Sequence, residues 1–324
     1  MYVKLQTKGN YYDRAVFWRE QVQSACRKII TKEDIHTVIV SGAPFSLFSQ
    51  VSPLKEEFKH LRLIADVRDP WTSNATSYAF DKMSPTRLAV EQNEERTVFR
   101  HYDKVLLVNE HLTGYFRKLY QADDTRFITL PNGYDHEETG IRNDDNLKLS
   151  QDYINLAFTG TFYGQAQYLF KALIEALNDD RLQKFRFYFF GNGLDAIKNM
   201  VPPALANRFV FGYYSDVKQV NSLIAQCDLA MLFLTDDINY SLSTKFCEYI
   251  KFRKKTIVFS KPGFTAYFVT ENKIGYHIGE DNMRNNLLKI VEDFENDNKF
   301  PETFNVEEFS IKNLTAQLTK LIDA

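Results

Sequence analysis

This 324-residue sequence predicts an α/β fold of two doubly wound, Rossmann-like parallel-sheet domains. Three observations support that expectation. Short apolar runs recur along the chain, most end in Gly, Asn, Asp or Ser, and each gives way to a longer amphipathic stretch, the rhythm of strand, loop and helix. The runs are almost continuously apolar rather than alternating, as parallel strands covered by helices on both faces require. A polar, acidic passage, DHEETGIRNDDNLKLSQD (135–152), separates two such series. Its other reading is a long surface loop within one domain.

Taken in order, a long helical stretch (DRAVFWREQVQSACRKII) comes first, followed by strands at TVIVSG (37–42), RLIADV (62–67), KVLLVN (104–109) and FITLPNG (127–133). The second series offers NLAFTGT (155–161), FRFYFFGN (185–192), RFVFGY (208–213), DLAMLFL (228–234) and KTIVFS (255–260). Near the C-terminus, Phe309, Ile311, Leu314, Leu318 and Leu321 recur at helical spacing and predict a terminal helix. The expected division is a first domain over 1–140, a second over 150–300, and a C-terminal helix over 305–324 packing on a domain face, with the first domain as one candidate.

Composition narrows the function classes. Lys plus Arg (40) nearly balances Asp plus Glu (42), so no global field holds the chain on nucleic acid, and no nucleic-acid partner is expected. Cys26, Cys227 and Cys247 are odd in number and far apart, which argues against a disulfide framework and for a reducing compartment. No run approaches the about 18 apolar residues a bilayer span needs, and the start lacks a signal-peptide core. A cytoplasmic protein is the expectation, with the inner membrane face as an option: Arg14, Arg19, Arg27 and Lys28 lie along an aromatic-containing helix that either meets anionic lipid or is a solvated face. The abundant Phe and Tyr residues fit an aromatic core or carbohydrate-stacking surfaces.

Ligands of open parallel sheets bind outside the carboxyl ends of the strands, where helix N-termini present unpaired N–H groups. The loops there include Ser41-Gly42-Ala43-Pro44, Asp66-Val67-Arg68-Asp69-Pro70-Trp71, Asn109-Glu110, Gly160-Thr161, Gly191-Asn192-Gly193, Gly212-Tyr213-Tyr214-Ser215 and Ser241 through Tyr249. The last is the most informative. With Ser243 as a helix cap, Ser243, Thr244 and Lys245 stand at an N-terminus where N–H groups and an ammonium can hold a diphosphate. Glu248 follows on the same helical face, able to accept from ribose hydroxyls, while Phe246 and Ile250 face the core. Spacing alone equally allows a plain Lys–Glu surface pair. His residues lack HExxH spacing, Asp236-Asp237 is not the DxD pattern, and no metal is expected. Gly191-Asn192-Gly193 is only a fragment of GxGxxG, since position 196 is Ala, which argues against a dinucleotide dehydrogenase.

TKFCEYIKFRKKTIVFS is similar to the donor-site signature of family 4 retaining glycosyltransferases of the GT-B fold, bacterial polysaccharide-assembly members especially. SGAPFS, IADVRDPW, LPNGYD, AFTGTFYG and CDLAMLFL fall in the family's order, so the resemblance spans roughly residues 35 to 260. It implies two domains facing a cleft, the first on the acceptor side and the second binding a nucleoside-diphosphate sugar, with no further cofactor. It also implies donor contacts at Gly160, Thr161, Ser243, Thr244, Lys245 (phosphate) and Glu248 (ribose). Tyr213 and Tyr214 either border the base or are packing tyrosines. Ser41, Gly42, Asp66 and Arg68 would lie on the acceptor side, Arg68 meeting phosphate of a lipid-linked acceptor, and Asp69, with Lys245, would be catalytic; Asp-x-x-Asp-Pro is also an ordinary turn sequence. The family's first donor-site glutamate falls where this chain has Tyr240, and its basic residues after the glycine are replaced by Phe162, Tyr163 and Gln165. Family members also begin with a glycine-rich loop and further strand–helix units, so the first domain is expected to be reduced. The activity implied is metal-independent hexosyl transfer to a saccharide or lipid-linked acceptor in polysaccharide synthesis. A sugar-nucleotide epimerase and a non-catalytic partner subunit on the same scaffold are the rivals.

Overall fold

A computed structural model of the chain describes residues 13, 15–73, 83–121, 125–138, 140–141, 149–214, 216–236, 238, 240, 242–296 and 299–323. The chain divides into two compact units, Met1–Pro131 with Lys320–Ala324, and Asn132–Thr319. Arg14, Ser215, Asp237 and Ser241 of the expected loops and helix lie outside the described residues.

The first unit holds a four-stranded parallel sheet of β1 (Thr37–Gly42), β2 (Arg62–Val67), β3 (Lys104–Leu107) and β4 (Phe127–Thr129), in that spatial order. β1 and β2 coincide with the expected runs, because unbroken β-branched and aliphatic side chains suit strands covered on both faces. The helices between strands start where their caps say they should. Ser84 accepts from the Arg87 N–H with Pro85 in the first turn, and Asn109 accepts from the Leu112 N–H at 2.8 Å. The loop pair Asn109-Glu110 is therefore a helix start. Phe45 and Phe48 pack with Trp71 and Phe99 in an aromatic core. Arg62 donates to the carbonyl of Ile322 at 2.6 Å, fastening the last turn of helix Ile311–Asp323 to this unit.

The second unit is the six-stranded parallel sheet β10-β9-β8-β5-β6-β7, formed by β5 (Ile154–Thr161), β6 (Phe185–Asn192), β7 (Phe209–Gly212), β8 (Leu229–Phe233), β9 (Lys255–Phe259) and β10 (Gly275–Ile278). The winding reverses between β5 and β8, so this sheet is doubly wound with its switch point there. Phe158, Phe170, Phe187, Phe189, Phe233 and Phe259 are buried against one another, which assigns these rings to the core rather than to a saccharide surface. Each contributes about 2–3 kcal/mol of apolar burial. β10 was not among the expected strands: Tyr276 and His277 interrupt the apolar run. At the C-terminus, Phe309 belongs to a separate 3-10 turn (Val306–Phe309), and Ile311 is 45% exposed, so of the expected stripe within the helix only Leu314 is fully buried.

Candidate nucleotide-sugar site of the second unit

The candidate site is built where β5 and β8 part. Their ladder joins Leu156 to Leu229 and Ala157 to Ala230, yet β5 runs on to Thr161 and β8 to Phe233. Beyond Ala157 the β5 edge needs another partner, since a buried N–H left unpaired costs about 1–3 kcal/mol. Helix Thr244–Lys251 supplies it. The Thr159 N–H donates to the Tyr249 hydroxyl at 3.0 Å, and the two hydroxyls of Thr159 and Tyr249 lie 3.2 Å apart. Tyr249 is fully buried, and burial pushes its hydroxyl pKa up to about 12, so it stays a neutral donor and acceptor.

Lys245, one turn before Tyr249, extends along the same face to the end of β5. Gly160 has φ +115°, and a Cβ on it would stand 2.0 Å from Lys245 Cε. The backbone angle favours glycine, and a side chain there would also have to displace the end of the Lys245 side chain. Gly191, paired with Gly160 in the β5–β6 register, has φ +147°, and a Cβ there would be 1.8 Å from the Gly160 carbonyl oxygen. Two adjacent strands thus end in glycines that bring bare backbone to the carboxyl edge. The Lys245 ammonium lies 3.5 Å from the Thr161 carbonyl and 5.5 Å over the Phe158 ring. Among the described residues no carboxylate comes within ion-pair distance of it. Burial alone pushes its pKa down.

Ser243 caps the helix, its Oγ accepting from the Phe246 N–H at 3.2 Å. The N–H groups of Thr244 and Lys245 consequently have no intrahelical acceptor. Phe246 and Ile250 are buried, as their spacing required. Glu248 does not pair with Lys245. Its carboxylate meets Lys251 at 2.5 Å, and Lys251 also donates to the Glu138 carbonyl at 3.1 Å. The helix therefore does form a Lys–Glu pair, but with Lys251 in place of Lys245. The loop entering the helix is braced from a distance: Asn132 Nδ2 donates to the Leu242 carbonyl at 2.9 Å, and the Cys247 thiol donates to the Asn132 carbonyl at 3.3 Å. Burial holds that thiol near 12, so it is not a nucleophile. Tyr213 is 68% exposed and Tyr214 39%, which excludes a core-packing role for Tyr213.

Sequence reasoning missed two parts of this site. Gly191-Asn192-Gly193 reads in the sequence as a strand-end loop and as a fragment of a dinucleotide motif, and neither reading shows that its first glycine makes room beside Gly160. Its signal is a glycine at the same place in two successive strand ends. Tyr249 carried no polar role in the sequence, because its partner is 90 residues away.

In the first unit, the residues assigned to the acceptor side gather around one carboxylate. Asp66 accepts from Ser41 Oγ at 2.8 Å and from Arg68 Nε at 2.7 Å, and it ion-pairs with the Arg68 Nη2. Arg68 Nη1 donates to the carbonyls of Leu130 (3.2 Å) and Pro131 (3.3 Å). A Cβ on Gly42 would stand 2.4 Å from the Phe48 ring, a packing reason for glycine there. Asp69 follows β2, half-buried. Among the described residues, no group of three His, Cys, Asp or Glu side chains is placed to hold a metal, and Asp236 pairs with Lys261 at 2.6 Å. No helix of the described residues is long and apolar enough to cross a membrane.

The fold is shared with several proteins of known structure. The chain is similar to the Anabaena protein HepE in complex with UDP (15% identity over 94% of this chain and 82% of that one, TM-score 0.65). It is similar to sucrose-phosphate synthase of Thermosynechococcus elongatus (14% identity, 97% and 80%, TM-score 0.70) and to a putative UDP-N-acetylglucosamine 2-epimerase of Listeria monocytogenes (13% identity, 94% and 78%, TM-score 0.59). No protein-family model matches the chain, and no curated protein matches it in sequence. At these identities the likeness is one of fold, the two-sheet GT-B architecture, and chemistry has to be argued from the site.

Proposed function

We propose that the chain is a glycosyltransferase that binds a nucleoside-diphosphate sugar in its second unit and moves the sugar, with retention, to a saccharide or lipid-linked saccharide in cell-surface polysaccharide synthesis on the cytoplasmic side of the membrane. The observation that carries the proposal is Lys245: a half-buried ammonium, without a carboxylate partner among the described residues, at a glycine-lined strand end beside a capped helix N-terminus. A desolvated cation is unfavourable unless an anion completes it, and N–H groups, ammonium and bare backbone together suit a diphosphate.

In this proposal Lys245 and the N–H groups of Thr244 and Lys245 hold the diphosphate, with Gly160 and Thr161 letting it approach the backbone. Glu248, oriented by Lys251, accepts from the ribose hydroxyls, and Tyr213 borders the base. The sugar C1–O bond breaks with its electron pair passing to the diphosphate, whose growing charge Lys245 offsets. The acceptor hydroxyl, positioned by Asp69, forms the new C1–O bond, and its proton goes to the departing phosphate oxygen. No metal is required by this arrangement, because the charge is met by the lysine and the helix end.

Calorimetry with a panel of nucleoside diphosphates tests the site directly. UDP, the nucleotide bound to the HepE neighbour, is the expected binder, and absence of binding by every member of the panel would remove the proposal. The epimerase likeness leaves one rival. Incubation with a donor sugar and no acceptor separates them, since an epimerase converts the donor alone and a transferase gives at most slow hydrolysis.

A further inference from the structure

We propose that the second unit carries another anion site, for a phosphate group, at the open edge of its sheet beside β10. A cavity of about 330 Å³ lies there, lined by Lys255, Lys273, Tyr276, Asn286 and Lys289 among others. The three lysines come from separate elements: the first residue of β9, the turn before β10, and helix Met283–Glu295. That turn is tight. Lys273 takes a left-handed conformation (φ 57°), and a Cβ on Gly275 would stand 2.1 Å from the Thr256 carbonyl oxygen.

Lysines near an edge strand also serve to block pairing with another chain. That duty needs them on the strand itself, and none of the three belongs to β10. Here lysines of three separate elements line one concavity, the Lys255 ammonium lying 5.9 Å from the Tyr276 ring centroid. Lys255 is only 7% exposed, and among the described residues neither Lys273 nor Lys289 has a carboxylate within ion-pair distance. Two exposed lysines and a buried one lining a single cavity, with Asn286 beside them donating to the His277 carbonyl at 3.1 Å and Asp293 acting on Lys255 alone, leave an excess of positive charge that suits a compact multiply charged anion. Lys255 and Gly275 begin their strands, so this cavity stands at the amino ends, away from the carboxyl ends that hold Gly160 and Lys245. The group recognised is phosphate, free or on a lipid.

The test separates this site from the donor site and one source from the other. The full chain bearing Lys245→Ala is titrated with inorganic pyrophosphate by calorimetry and sedimented with phosphatidylcholine vesicles containing phosphatidic acid, whose phosphomonoester is multiply charged. Both measurements are repeated with Lys273→Ala and Lys289→Ala added. Both lysines are exposed, so melting temperatures should coincide. Binding of either probe to the Lys245→Ala chain, weakened about tenfold or more by the added pair, supports the site, and the probe that binds names the source. Equal binding with and without the two lysines, or no binding of either probe, overturns it. Loss of pyrophosphate binding by Lys245→Ala alone, with no vesicle binding either, would sustain the donor site while removing this one.

Discussion

At the carboxyl ends of the two sheets the chain places a cation in each unit and treats it in opposite ways. In the first unit the Arg68 guanidinium spends most of its donors on Asp66 and on the Leu130 and Pro131 carbonyls. In the second unit the Lys245 ammonium is half-buried, touches one carbonyl at the limit of a hydrogen bond, and has no carboxylate partner among the described residues. A charge paired with a carboxylate and bonded to backbone carbonyls from within acts as architecture. A desolvated charge left without a counter-charge is a cost to the fold, and such costs collect where ligands complete them. The two cations therefore differ in what their removal should do, although both stand where parallel sheets bind ligands.

The largest effect should come from Lys245→Ala. Loss of a charge-stabilising group at the leaving diphosphate is expected to lower kcat/KM by about 10²- to 10³-fold, with a melting temperature equal to or above that of the parent, because the substitution also removes a desolvated cation. A coincident fall in stability and activity would place Lys245 in the same structural class as Arg68. Gly160→Ala comes next. It forces a side chain into φ +115° and into the space of the Lys245 stem, costing about 1–3 kcal/mol of stability and displacing the ammonium, so UDP affinity should drop as well. Unchanged affinity would show that the glycine matters only for packing.

Arg68→Ala should reverse that pattern. It leaves Asp66, whose side chain is 17% exposed, without its ion pair, for a loss of about 1–3 kcal/mol in chemical denaturation and no change in UDP affinity. A weakened UDP titration in this variant would break the contrast between the two cations.

How much of this could be read from the chain depends on the distance over which each feature is encoded. β1, β2 and β6 were legible because a parallel strand writes its burial into consecutive residues. The Ser243 cap was legible because cap and helix adjoin. β10 was not, since Tyr276 and His277 break the apolar run of an edge strand that one neighbour covers. The partner of Glu248 lay within reach of the spacing rule, which allowed both Lys245 and Lys251; only packing decides between them, and it directs Lys245 to the β5 edge. The joint opening of Gly160 and Gly191 requires knowing that β5 and β6 pair and in which register. The Asn132 brace on Leu242 spans 110 residues and leaves no local mark.

The smallest effect, and the one that probes the cation without altering it, is the response to pH. Burial lowers the Lys245 pKa in the folded, unliganded chain, while the unfolded chain keeps an ordinary lysine value. Below the folded value both states are protonated, and the penalty of the buried charge is fully present. As pH rises through the folded value towards the unfolded one, the folded chain releases its proton first, so this group's contribution to stability improves with pH across that window. Binding should move the other way. A bound diphosphate favours the ammonium, so UDP affinity should decline as pH climbs through the lowered value, beginning below the range in which an exposed lysine titrates, with proton uptake on binding in that window. Calorimetry in two buffers of different ionisation enthalpy reads the uptake directly. Lys245→Arg, whose charge persists at every accessible pH, should bind without that uptake; proton uptake that survives this substitution would assign the titration to another group and remove the pH argument for Lys245.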